Sequence, residues 1–226
     1  MRSRDTVTVG WIDPGVVDGM FALSVAAIYR EHAGRVRELA RVEGGGLLSR
    51  QRNELVTRFL AGTSDWLLML DSDQQLSTDG FERLCQAGHA EERPIVAGLY
   101  FAAWTGDGLY PDPIPLIFRE IPGRVGFTPI TDYPDNKVIP VDGAGTGCLL
   151  IHRGVFEKFR EHASEHEGPD WCWFHDMPVG GLWLSEDHYF CKKARQLGYT
   201  IHAHTGVVLP HRKRYWLTDQ HFRGRT

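Results

Sequence analysis

The feature that most constrains this chain is the stretch 66–75, WLLMLDSDQQ, in which five consecutive apolar residues stop at two carboxylates one residue apart. An apolar run without alternation reads as a strand buried on both faces, and such strands belong to parallel sheets covered by helices. Asp71 and Asp73 then stand at the carboxyl end of that strand, the edge of an open α/β sheet where ligands bind. Two ionised carboxylates this close raise each other's pKa unless a cation holds them, and a hard divalent metal with oxygen ligands suits the pair. The alternative is a solvated turn with two surface acids, and only the rest of the chain can separate the two.

Composition narrows the class. With 226 residues, 42% of them hydrophobic and 24% charged, the chain can fill the core of one α/β domain and is too apolar for wholesale disorder. A net charge of −4 argues against a mainly electrostatic nucleic-acid binder. Apolar runs all fall well short of the roughly 20 residues that span a bilayer. The start MRSRDTVTVGW has no apolar signal core, so the expectation is a cytoplasmic protein. Cys85, Cys148, Cys172 and Cys191 are scattered, without a C-x-x-C pair, and read as reduced thiols.

Taken in order, residues 6–12 form a β-rich run ending at Asp13-Pro14-Gly15. Asp13 could meet the base or ribose of a nucleotide or be a simple turn residue before proline. Residues 18–32 predict an amphipathic helix with Phe21, Val25 and Ile28 on one face, and residues 36–42 a second strand. Residues 48–60 predict a helix capped by Ser49, with Arg50, Arg52 and Asn53 in its first turns. Beyond the two acids, Thr78 is expected to cap a helix to about Gly88, and residues 94–100 to form another buried strand. An aromatic excursion spans 104–115, and 116–120 with 124–128 suggest a small antiparallel pair. In the expected strand 141–151, Gly143, Gly145 and Gly147 alternate, which implies close approach by a ligand or another backbone.

The segment PDWCWFHDMPVGGLW, 169–183, suggests a mobile aromatic lid with Gly180-Gly181 as hinge, or else a satellite core. Ser185 is the expected cap of a helix whose first turn carries Glu186 and Asp187 and whose Tyr189, Phe190 and Ala194 face the core. Residues 200–209 read as a strand ending at Pro210-His211, and Arg212-Lys213-Arg214-Tyr215-Trp216 comes next. That basic run could neutralise a diphosphate, and Trp216 could stack on a sugar.

SEDHYFCKKARQLGY, 185–199, resembles the glycosyltransferase signature E-D-x-x-[FL]-x-x-[RK]-[AL]-x-x-x-G-[YW], and the D-x-D at Asp71 and Asp73 is similar to the metal-nucleotide motif of GT-A-fold enzymes, family 2 and its relatives. The resemblance implies an α/β fold with a mostly parallel central sheet, flanking helices and a small antiparallel ribbon, as one domain over 1–226. Residues 1–100 would be the nucleotide-binding half and 101–226 the acceptor-binding half. It implies a metal-dependent transfer of sugar from a nucleotide-diphosphate donor, UDP- or GDP-linked, to an unknown acceptor hydroxyl, with Mn²⁺ or Mg²⁺ bound by Asp71, Asp73 and His211. Asp71 would also serve the donor, together with Asp13, Arg52, Asn53, Gly145, Arg212 and Arg214, and Asp187 or Glu186 would be the base. A homodimer is compatible with this reading. A sugar-nucleotidyltransferase would instead carry a glycine-rich loop after the first strand, and a non-catalytic binding protein of the same fold would tolerate loss of Asp73.

Overall fold

The computed structural model describes residues 1, 5–104, 112–163, 169–214 and 218–223. The first half builds β1 (Val7–Asp13), α1 (Gly19–Glu31), β2 (Val36–Glu43), α2 (Leu48–Ala61), β3 (Trp66–Leu70), α3 (Thr78–Ala87) and β4 (Ile95–Leu99). Short pieces come after it: β5 (Phe101–Trp104), β6 (Asp112–Pro115), β7 (Ile117–Glu120), β8 (Phe127–Pro129), β9 (Val138–Val141) and β10 (Gly143–Ala144). The chain ends with β11 (Cys148–His152), α4 (Arg153–Glu161), β12 (Met177–Val179), β13 (Leu182–Leu184), α5 (Glu186–Gln196), β14 (Ile201–Val208) and α6 (Asp219–Arg223).

Seven strands form the central sheet in the order β2-β1-β3-β11-β4-β14-β9. Neighbours β2, β1 and β3 run parallel, as do β4 and β14, while β11 and β9 are antiparallel to their neighbours. The period-2 alternation of a strand explains the two cores. Trp66, Leu68 and Leu70 of β3 point to the side covered by α1 and α3, and Leu67 and Met69 point to the side covered by α2, α4 and α5. All five residues are buried, as a strand between two helical layers requires. The fold is thus the mixed α/β architecture the sequence implies, with antiparallel ribbons β5–β6, β12–β13 and the three-stranded β10-β7-β8 beside the main sheet.

The structure corrects local expectations in four places. Helix α2 has Leu47 as its N-cap without a side-chain bond, and Ser49 lies buried inside the first turn instead. Helix α3 is capped by Ser77, whose Oγ accepts from Gly80 N at 2.9 Å, and Thr78 is already helical. Residues 141–151 are not one strand. The chain leaves the main sheet at Val141, pairs Gly143–Ala144 with β7, turns, and re-enters as β11, so the glycines sit at the crossing between two sheets. Finally, Gly180 and Gly181 have φ of 58° and 80° and form the turn of the β12–β13 hairpin. Such a turn needs positive φ at both positions, which accounts for the glycine pair without a hinge.

Candidate functional site

The parallel strands β1, β3, β4 and β14 all end at one edge of the sheet, and there the backbone fixes the relation between the acid loop and the late histidine. After β3, Gln74 N donates to Asp71 O at 3.1 Å, closing a turn that returns Gln74 alongside His211 in an isolated antiparallel bridge. Two further bonds lock the register: Gln75 N to Pro210 O at 3.1 Å and Arg212 N to Asp73 O at 2.9 Å. Asp71 N donates to Gly147 O at 2.8 Å, which ties the glycine crossing to the same edge.

Asp73 Oδ2 therefore lies 3.2 Å from His211 Nε2. The other ring nitrogen, Nδ1, is 2.8 Å from Phe101 O; a carbonyl can only accept, so Nδ1 carries a hydrogen, and in the neutral ring Nε2 presents a lone pair. Ligand bonds of about 2.1 Å at right angles put two donors about 3 Å apart, so this oxygen and nitrogen fit one divalent cation. The ammonium of Lys213 lies 2.6 Å from the same Nε2 and 3.7 Å from the same Oδ2. Asp71 faces elsewhere, with Oδ1 at 3.8 Å from Arg52. Among the described residues no group of three or more His, Cys, Asp and Glu side chains could hold a metal ion; the protein offers two ligands side by side.

Arg52, almost fully buried, is the centre of a second charge cluster. It joins α2 to α5 by an ion pair with Glu186 and also faces Asp71. Burial pushes the carboxyls of Glu186 and Asp71 above their ordinary values, and the Arg52 charge acts against that in both. One guanidinium shared by two acids leaves local negative charge, which favours a further cation. Asp187 lies near enough for its charge to act on Arg52 and Glu186, without an ion pair to Arg52 among the described residues. Its Oδ1 accepts from Ser185 Oγ and from His188 N at 2.8 Å, whereas Oδ2 takes no hydrogen bond among the described residues.

Several of the residues expected to meet the donor have partners within the chain. Both oxygens of Asp13 are filled, by Arg41 Nε and an Arg41 terminal nitrogen at 2.7 Å each, by Gly15 N at 2.8 Å and by Trp11 Nε1 at 3.0 Å. Asn53 clamps the segment after residue 169: its Oδ1 accepts from Trp173 N and Phe174 N at 2.9 Å, and its Nδ2 donates to Phe174 O at 2.8 Å. Gly145 is small for the sake of its own neighbour, since a Cβ there would lie 2.1 Å from Tyr100 Oη. Arg212 pairs with Asp18 at the start of α1, and Arg214 is exposed. Trp216 lies outside the described residues.

Tyr100 and Gln74 are not among the residues expected from sequence, yet both pack against Gly147 beside Asp71. Tyr100 comes directly after β4 at the same sheet edge and its Oη accepts from Gly147 N at 2.9 Å, so the strand-end logic that singles out Asp71 applies to it equally. Gln74 and Thr146 are each 1% exposed, and the Gln74 amide and the Thr146 hydroxyl make no hydrogen bond among the described residues. Buried polar groups are normally satisfied; no sequence signal marks Gln74, because only the fold brings its amide against Gly147. Of the aromatic segment, Trp173 and Phe174 are core residues, Phe174 stacked on Phe190 at 4.8 Å, while Trp171 and Trp183 are exposed. Phe190 and Ala194 of α5 are fully buried as expected, but Tyr189 instead lines a groove of about 800 Å³ between α2 and α5.

Comparison with known proteins returns structures and not sequences. No family model matches the chain, and no curated protein does either. The crystal structure of A197 from STIV aligns at TM-score 0.58 and 16% identity over 92% of this chain and 86% of that one. GalNAc-T7, crystallised with UDP, GalNAc and Mn²⁺, aligns at TM-score 0.58 and 12% identity over 93% of this chain and 44% of that one. The fold of this chain is the GT-A fold.

Proposed function

We propose that this chain transfers a sugar from a nucleotide-diphosphate sugar, UDP- or GDP-linked, to an acceptor hydroxyl in a metal-dependent reaction. The observation that carries this reading is the pair of lone-pair donors, Asp73 Oδ2 and His211 Nε2, opposed at 3.2 Å on two strand ends beside the Arg52–Glu186 cluster. Asp73 and His211 would hold Mn²⁺ or Mg²⁺, with Asp71 reaching the ribose or the cation through water. When bound, the cation supplies positive charge for the departing diphosphate. Arg212 and Arg214 add charge of the same sign at this edge. Residues 1–100 are read as the donor half and 101–226 as the acceptor half of one domain.

In this scheme the acceptor oxygen forms a bond to the anomeric carbon as the bond to the diphosphate oxygen breaks, and the acceptor proton passes to Asp187 Oδ2. Ser185 and the His188 amide hold Oδ1, which fixes the carboxylate plane. Glu186, bound to Arg52, is a positioning residue that anchors the start of α5 against α2. The test is a panel of nucleotide sugars assayed for release of nucleoside diphosphate with and without Mn²⁺. Slow hydrolysis of one donor that stops on chelation is expected; release that is undiminished in metal-free buffer, or no release from any donor, overturns the reading.

A further inference from the structure

We propose that Lys213 is a built-in competitor of the divalent cation, its ammonium group occupying the position between Asp73 and His211 that a cation has to enter. The inference rests on the metal-dependent reading above and adds to it a residue that controls loading. The geometry is specific. Lys213 Nζ donates to His211 Nε2 at 2.6 Å, and it faces Asp73 Oδ2 at 3.7 Å, so one point charge meets both lone pairs at once. His211 cannot turn aside, because Nδ1 is held by Phe101 O and the ring packs edge-on against Tyr100 at 5.4 Å. The Asp73 backbone is held as well, because its carbonyl accepts from Arg212 N and the adjacent Gln74 is bridged to His211.

The imidazole and the backbone that carries Asp73 are therefore held, and the lysine is the long side chain free to leave. Its side chain is 40% exposed and rides on a flexible four-carbon stem in an exposed stretch of chain. A lone pair on Nε2 cannot serve ammonium and metal together, so entry of the cation requires departure of Lys213 Nζ. The lysine thus supplies the counter-charge of the metal-free protein and lowers its affinity for the cation.

Titration of wild-type protein, Lys213→Met, Lys213→Arg and Asp73→Asn with Mn²⁺ alone, monitored by calorimetry or by the signal of free Mn²⁺ in electron paramagnetic resonance, tests this without any nucleotide or turnover. Removing a unit charge about 4 Å from a divalent ion is expected to tighten Mn²⁺ binding by about tenfold or more in Lys213→Met. Lys213→Arg, which keeps the charge, should stay close to wild type, and Asp73→Asn should lose binding. Circular dichroism and melting temperature check that each variant is folded. If Lys213→Met binds no more tightly than wild type while Asp73→Asn still abolishes binding, the metal site stands and the competitor role is overturned; equal tightening by Lys213→Arg overturns it too. If neither wild type nor Lys213→Met binds Mn²⁺, the metal-dependent reading fails and this inference with it.

Discussion

At the scale of single residues, the adjacent acids at the start of α5 divide their work by direction. Successive helical residues point about 100° apart, and here Glu186 turns inward to Arg52 while Asp187 keeps one oxygen, Oδ2, without a bond among the described residues. Asp187→Asn is expected to reduce transfer by a factor on the order of 10²–10⁴ with donor affinity nearly intact, as for loss of a general base. Glu186→Gln should instead lower thermal stability, because Arg52 would then be buried with one partner fewer. Steady-state kinetics and melting curves separate these outcomes. Transfer near the wild-type rate in Asp187→Asn, with loss in Glu186→Gln, would reverse the assignment.

At the scale of elements, Arg153 at the start of α4 closes the far end of α2. Its guanidinium donates to four carbonyls, Ser64 O at 2.8 Å, Gly62 O at 3.0 Å, Phe59 O at 3.1 Å and Leu60 O at 3.2 Å, and it lies 4.6 Å from the centre of the Phe59 ring. The last carbonyls of a helix have no partner within it, and a cation there also meets the negative end of the helix dipole. Arg153→Met keeps the bulk and removes the donors. It is expected to destabilise the protein by about 2–3 kcal/mol, measured by urea unfolding, since bonds from a charged donor are worth about that much and the carbonyls become only partly hydrated. A change below about 0.5 kcal/mol, the level of an ordinary surface substitution, would contradict the role.

At the scale of the whole molecule, burial sets a pH dependence that no single element shows. His152 ends β11, His188 lies in α5, and His202 and His204 lie two residues apart on β14, and burial lowers the pKa of each below the ordinary 6.5. A base with a lowered folded-state pKa binds protons more readily when unfolded, so stability is unaffected above the ordinary pKa and falls as pH drops through it towards the folded value. The melting temperature is therefore expected to fall from about pH 7 to about pH 5, before most carboxylates titrate. A flat profile over that interval would show that the four rings accept protons in place. Among the described residues no helix is long and apolar enough to cross a membrane.

Local pattern and local chemistry are enough to read much of this protein from sequence. The apolar run of β3 with its terminal acids, the amphipathic α1, the start of α5 at Ser185 and the strand leading to His211 each depend on residues within one element, where hydrophobic periodicity and helix-start signals act. The site itself is only partly legible for the opposite reason. Arg52 meets Glu186 across 134 positions, Asn53 meets Phe174 across 121, and Arg153 meets Phe59 across 94. Such pairings are decided by sheet order and by which helices share a face. The glycines at 143, 145 and 147 read as close approach by a ligand or another backbone because sequence shows a missing side chain and not what fills the space; the fold sets Phe127 against Gly143, and Tyr100, Gln74 and Asp71 against Gly145 and Gly147. Sequence thus determined that carboxylates end a buried strand, and tertiary structure alone decided that His211 and Lys213 stand beside one of them and Arg52 beside the other.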